Sequence, residues 1–354
     1  MKIETSMLDT IKSIPEKIQE RLTNVNDFSG KLKDIKTVKV TIIASGTSYN
    51  AAFTAKSFIE EKLGMGVELI YPNFFYHHFN KESLSLDEVY LFISQGGTTK
   101  SVLESIEMVN NLGGTTISIT ENLDNPISEA AQINFDMGSG KEPYVFRTAG
   151  YTLTTVTLYL IFMEISKQNK KLTNEAAQKY LEELSEISKD IENAISFSQK
   201  WYRQNKKFLF NCEAFFFAGG GALWPVAQES DIKFMEMVPI ITNSFEIEEL
   251  IHGPQNCFTE DMGFFLLAEE QEDYEKAVKI NSFLHKEVHA YSQIISRNRT
   301  DDSVVTLETA AETFYPLIYM TFFQVISYLL ATDKGRDLSE KIYPQIEKYI
   351  NKTV

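Results

Sequence analysis

Cysteine is scarce: Cys212 and Cys257 are the only two among 354 residues, and no CxxC spacing joins them to anything. That excludes a disulfide framework and a cysteine-based zinc site as organising devices. The five histidines include the adjacent His77 and His78, but no HExxH or comparable ligand spacing accompanies them, so neither a structural metal nor a metal cofactor is expected. Clusters of Lys and Arg are missing as well. With 34 basic against 49 acidic residues and a net charge of -15, the chain offers no basic surface for a phosphate backbone, which speaks against nucleic-acid binding. No hydrophobic run is long enough to cross a membrane. The most apolar window, 316–331, falls short of ~20 residues and contains Gln324 and Ser327, so it reads as a buried helix. The N-terminus is charged throughout and lacks the apolar stretch of a signal peptide, and a cytoplasmic protein is expected. Finally, there is no Walker loop and no GxGxxG fingerprint, so nucleotide binding is not expected.

What is present is 43% hydrophobic and 23% charged residues, the composition of a globular chain long enough for two cores. Met7, Leu8, Ile11, Ile14, Ile18 and Leu22 recur at helical spacing and predict an N-terminal amphipathic helix. From there apolar runs alternate with helical stripes. Residues 38–45 (VKVTIIAS), 67–72 (VELIYP), 88–95 (EVYLFISQ) and 113–120 (GGTTISIT) read as strands. Helical patterns lie between them at 49–62, 74–79 and from Val102 to Val109, and 150–165 reads as a core helix. A stripe from Ala177 to Ile195 predicts a connecting helix, after which the pattern restarts with strands at 213–221, 238–245, 263–270 and 289–297. Strand–helix alternation of this kind predicts an α/β fold built on parallel sheets covered by helices on both faces. The repeated layout predicts a tandem duplication of one α/β unit. Domain boundaries are expected at 1–170 for the first domain with its N-terminal helix, 171–200 for the connecting helix, and 201–354 for the second domain.

Two turns stand out, because ligands of such sheets sit at the carboxyl ends of the strands. Ser45-Gly46-Thr47-Ser48 offers three hydroxyls at a helix N-terminus, and Ser94-Gln95-Gly96-Gly97-Thr98-Thr99 repeats the arrangement with an amide. Backbone N–H groups, the helix dipole and short hydroxyl donors together suit a dianionic phosphate, while the ordinary alternative is that these residues merely cap helices. Gly219, Gly220 and Gly221 form a third candidate turn, read as close packing of strand and helix.

Downstream, Glu229, Lys233 and Glu236 stand at i, i+4 and i+7 and so share one helix face. His252 follows in a His-Gly-Pro tripeptide that cannot continue a helix, which places an imidazole on a loop. Two carboxylates, an ammonium and an imidazole supply the parts of an acid/base site. The competing reading is a solvated ladder of i,i+3 and i,i+4 ion pairs.

The segments SGTSYNAA and SQGGTTKS, and above all the register from Glu229 through Lys233 and Glu236 to His252-Gly253-Pro254, resemble the tandem sugar isomerase (SIS) domains of the isomerase half of glucosamine-6-phosphate synthase. The resemblance covers nearly the whole chain and implies two SIS domains, each a three-layer αβα sandwich. It implies a phosphosugar site formed by Ser45, Gly46, Thr47, Ser48, Ser94, Gln95, Gly97, Thr99 and Val145. It also implies Glu236 as the base that moves a proton between C1 and C2, Glu229 and Lys233 as its charged neighbours, and His252 assisting ring opening, possible from the neighbouring subunit of a homodimer. No cofactor is implied. Four departures matter. Gly96 stands where that family usually has a serine, and Thr98 where it has an acidic residue. Near the C-terminus Arg336 and Lys341 approximate the segment that carries the synthase's Schiff-base lysine, with Lys341 one residue late. No glutamine-hydrolysing domain precedes the sugar domains in this sequence. Isomerisation, deamination or deglycation of an amino-sugar phosphate or fructosamine phosphate is therefore expected, and a phosphosugar-binding regulator without catalysis is the alternative.

Overall fold

The computed structural model describes residues 6–297, 299 and 304–354. It opens with α1 (Met7–Lys12), α2 (Ile14–Thr23) and α3 (Asn26–Leu32). The sequence predicts one amphipathic helix over the first two. The chain breaks at Ser13 instead, since Pro15 has no N–H to donate and is tolerated only in the first turn of α2. Ser6 and Asp9 close a capping box on α1.

Glu16–Ser185 and Glu340–Val354 make one compact unit. Its sheet is all parallel, with β1 (Lys39–Ile43), β2 (Gly66–Ile70), β3 (Val89–Ile93), β4 (Thr115–Thr120) and β5 (Ile133–Asp136) in the order β2-β1-β3-β4-β5. β3 is buried along its whole length, as a central strand covered on both faces must be. Around the sheet lie α4 (Thr47–Glu61), α5 (Pro72–His77), α6 (Lys100–Asn111), α7 (Pro126–Ala130) and α8 (Ala149–Gln168). α8 is buried on almost every side, in keeping with its apolar composition.

α9 (Asn174–Asn211) carries the chain onward; its stripe of Leu184, Ile187, Ile191 and Ile195 is buried. The second compact unit comprises Glu186–Ser339 with the N-terminal residues up to Pro15. In it β6 (Ala214–Gly219), β7 (Ile241–Glu246), β8 (Met262–Leu267), β9 (Tyr291–Ser296) and β10 (Val304–Thr306) pair in parallel in the order β7-β6-β8-β9-β10. Counted from its own first strand, that is the order of the first sheet. α10 (Trp224–Met237), α11 (Gln271–Phe283) and α12 (Pro316–Asp333) belong to this unit. Its core is strongly aromatic: Phe217 and Phe265 stack at 5.5 Å, and Phe215 and Phe217 each meet Phe234 edge-on at 5.1 Å. α12 is the buried helix predicted for 316–331, and among the described residues no helix is long and apolar enough to cross a membrane.

The order 2-1-3-4-5 reverses direction between the first and third strands, opening a crevice at the carboxyl ends of both. In the first sheet the two turns beside that crevice are the hydroxyl-rich ones. In the second they carry Gly219, Gly220 and Gly221, and Glu269 and Glu270. A Cβ at Gly219 would lie 2.4 Å from the Leu223 carbonyl oxygen and one at Gly220 2.0 Å from Asp273 Oδ2, so these glycines permit close packing.

Candidate functional site

In the first-sheet unit both turns run from a strand straight into a helix. Gly46, at φ +56°, turns the chain out of β1 into α4. Ser45 and Gly46 are exposed, and among the described residues the hydroxyls of Ser45, Thr47 and Ser48 make no hydrogen bond within the chain. They are donors without an internal employment. The turn after β3 is braced instead. Ser94 and Thr99 share a hydroxyl–hydroxyl bond of 2.8 Å, the Gly97 N–H donates to the Ser94 carbonyl at 3.0 Å, and the Ile127 N–H donates to the Gly97 carbonyl at 3.2 Å. Gly97 has φ +66°, and a Cβ there would lie 2.1 Å from Asn125 Cγ, so only glycine fits.

Gln95 is buried, and its position is fixed by carboxylates the sequence does not mark. Its Nε2 donates to Glu142 Oε1 at 2.9 Å and to Glu121 Oε2 at 3.4 Å. Glu142 in turn occupies the N-terminus of α8, accepting from the Gly150 N–H at 2.8 Å, the Thr148 N–H at 2.9 Å, the Thr148 hydroxyl at 3.0 Å and the Ala149 N–H at 3.2 Å. An internal carboxylate thus satisfies the orphan donors and positive end of that helix. Arg147 Nη1 lies 3.7 Å from Glu121 and donates to the Glu142 carbonyl at 3.2 Å. Val145, between β5 and α8, is exposed.

Beside the two turns is a cavity of ≈ 610 Å³ whose walls include Ser45, His77, Thr99, Lys100, Glu104 and Lys352. Two lysines, an imidazole and one carboxylate line it, and that carboxylate lies 3.9 Å from Lys100. Lys341 makes an ion pair with Glu347 at 2.5 Å.

In the second-sheet unit, α10 carries Glu229, Lys233 and Glu236 on one face, as their spacing requires. The face is not a solvated ladder. Glu229 and Lys233 are fully buried, whereas the Glu236 side chain is 40% exposed. Lys233 Nζ donates to Glu236 Oε2 at 2.9 Å and lies 3.5 Å from Glu229 Oε1. A buried ammonium is tolerated only when opposite charge compensates it, and here carboxylates flank it on both sides along the helix. On another side of α10, Asp231 accepts from the Ser244 hydroxyl at 2.9 Å, and burial holds its pKa above the usual carboxylate range. His252 sits on an exposed turn, as the His-Gly-Pro sequence predicts. Its Nε2 lies 3.2 Å from Glu248 Oε1, and Glu248 is also paired with Lys276. Arg336 Nη1 donates to the Asp337 carbonyl at 2.7 Å.

The first-sheet unit thus carries hydroxyl turns at the switch point of its parallel sheet, and the second-sheet unit carries a buried carboxylate–ammonium–carboxylate face on α10. Residues 32–164 match the model of the SIS domain family. Glutamine–fructose-6-phosphate aminotransferase (isomerizing) of Vibrio cholerae is 26% identical over 316 residues, which cover 86% of this chain and 50% of that protein. The chain thus spans about half the length of the curated relatives it matches. The structure of the C-terminal domain of glucosamine-fructose-6-phosphate aminotransferase from Francisella tularensis superposes with a TM-score of 0.85 at 24% identity, covering 95% of this chain and 98% of that one. Glucosamine-6-phosphate deaminase from Thermotoga maritima superposes with a TM-score of 0.69 at 16% identity, over 92% and 98% of the two chains. Two parallel five-stranded sheets flanked by helices are an α/β fold consistent with two SIS domains.

Proposed function

We propose that the protein is a phosphosugar isomerase-type enzyme acting on an amino-sugar phosphate or a fructosamine phosphate. The observation that carries this reading is the α10 face, where a fully buried Lys233 lies between buried Glu229 and half-exposed Glu236. Isomerisation, deamination and deglycation of such sugars begin alike, with removal of a proton alpha to a carbonyl or imine. Glu236 is the member of the face that reaches solvent, and its carboxylate takes the C2 proton of an aldose and returns it to C1. The intermediate enediolate gains negative charge on oxygen, and Lys233 supplies the compensating ammonium without reorganisation. Glu229 holds Lys233 in place. Where the sugar carries an amino group, the same proton shift gives an enolamine, which tautomerises to an imine; water then adds and the amine leaves.

In the first-sheet unit the phosphate is held by Ser48, Ser94, Gln95 and Thr99, with Ser45, Gly46, Thr47, Gly97 and Val145 beside them. His252 assists ring opening. Its exposure and its pairing with Glu248 support delivery to a neighbouring copy in a homodimer.

The test is proton exchange in deuterated water with glucosamine 6-phosphate, fructose 6-phosphate and fructosyl-amino-acid phosphates, with ammonia and amino-acid release read separately. Deuterium is expected at C1 or C2 of at least one substrate, and incorporation should fall by about 10² or more in Glu236→Gln. Absence of exchange and of release from every sugar rejects the catalytic reading. It would favour the alternative, a phosphosugar-binding regulator, which draws support from Gly96, a turn position without a side-chain donor.

A further inference from the structure

The C-terminal residues fold back onto the turn that follows β3. Thr353 forms an antiparallel bridge with Thr99, the Lys100 N–H donates to the Lys352 carbonyl at 3.0 Å, and the Val354 N–H donates to the Thr98 carbonyl at 2.9 Å. The strap therefore grips residues 98–100, between Gly97 and the first turn of α6. Strap residues 351–353 line the ≈ 610 Å³ cavity together with Ser45 and His77.

Charge makes this wall unusual. In a chain of net charge -15, the cavity gathers Lys100, Lys352 and His77 around the single carboxylate of Glu104. Glu104 lies within reach of Lys100, which leaves Lys352 as the cation brought by a different segment of chain. Glu347 is held below the usual carboxylate range chiefly by its bond to Lys341 at 2.5 Å, and Lys352 contributes least. The turn itself is short of donors: Gly96 has no side chain to offer, one of the two hydroxyl hydrogens of Ser94 and Thr99 is used between them, and the Lys100 N–H is taken by the strap. A dianion seated against this turn needs charge compensation from elsewhere.

We propose that Lys352, delivered by the C-terminal strap, is an anion-binding residue of the phosphate end of the site and contacts a phosphate monoester oxygen in this cavity. The inference rests on the phosphosugar reading above. The strap is thereby part of the binding site.

Isothermal titration calorimetry of the full chain tests this, with fructose 6-phosphate and inorganic phosphate as probes. Lys352→Ala should weaken both by about three- to tenfold, flatten the dependence of affinity on salt, and leave the ligand-free melting temperature unchanged. Lys352→Arg should bind within about twofold of the parent chain, since it keeps the charge. Lys348→Ala, on the same tail but outside the cavity, should bind normally. Unchanged binding in Lys352→Ala beside weakened binding in Thr99→Val overturns the role of Lys352 and leaves the phosphosugar reading standing. Equal losses in Lys352→Ala and Lys352→Arg also overturn it, because a strap that only closes the fold would behave so. A parent chain that binds neither probe overturns both readings.

Discussion

Replacing Gly150 by alanine sets two effects of opposite sign against each other. Gly150 is the second residue of α8, and glycine-to-alanine exchange within a helix ordinarily stabilises by up to ~1 kcal/mol. Here the added Cβ would stand 2.0 Å from Gln95 Oε1, 2.6 Å from its Cδ and 2.8 Å from its Nε2. The Gln95 carboxamide cannot simply drift aside, because Glu142 and Glu121 hold its Nε2. Moving it breaks a hydrogen bond to a carboxylate, a class worth ~1.5–3 kcal/mol. The clash should win. Gly150→Ala is expected to destabilise the chain by ~1–3 kcal/mol in urea unfolding, and to weaken binding of fructose 6-phosphate by displacing Gln95. In a Gln95→Ala background the obstacle is gone, and the same substitution should be neutral or stabilising. A change of sign between the two backgrounds is the signature of a direct contact. The reasoning is refuted if Gly150→Ala stabilises the parent chain, or costs the same with and without the Gln95 side chain.

Lys233→Met should cost ~3–5 kcal/mol, because it leaves Glu229 buried without the ammonium beside it; adding Glu229→Gln should recover part of the loss, and a single-variant cost under ~1 kcal/mol in urea unfolding would contradict the burial argument. The two cysteines should differ sharply in reactivity. Burial pushes the Cys212 thiol up to about 12, so at pH ~8 only ~10⁻⁴ of it is thiolate, whereas Cys257 is exposed. Iodoacetamide under native conditions should therefore label Cys257 and spare Cys212 until the chain is unfolded, as peptide mass mapping would read.

The eight long strands were legible because each is a short apolar run bounded by polar or glycine-rich turns. β5 and β10 were not. INFD and VVT are edge strands of four and three residues, too short for a period and half exposed. α11 escaped notice for the opposite reason: its sequence, QEDYEKAVKINSF, is mostly polar and buries only Ala277, Ile280 and Asn281. At the candidate site, the shared face of Glu229, Lys233 and Glu236 follows from helical spacing alone, but its burial does not, since α12, which packs on α10 beside β6 and β7, is remote in sequence. The anchors of Gln95 were illegible for a related reason. Glu142 caps α8 from outside it, at a spacing that matches no capping-box signature, and Glu121 comes from the end of another strand. The strap left no signal at all, because backbone pairing of Thr99 with Thr353 depends on topology and not on side-chain pattern.

Neither compact unit is a single length of chain. The first-sheet unit runs from Glu16 to Ser185 and then takes back Glu340–Val354, so the rest of the molecule is threaded between its two pieces. A protein cut at Ser185 would yield a fragment with every strand of that sheet but without the residues that pair with 98–100. Dissection at the obvious boundary would thus separate a binding turn from one of its own walls. During folding the same nesting imposes an order: closing the loop between Thr99 and Thr353 carries a larger entropic cost than any strand pairing in the unit, so the strap docks late, on a sheet already formed.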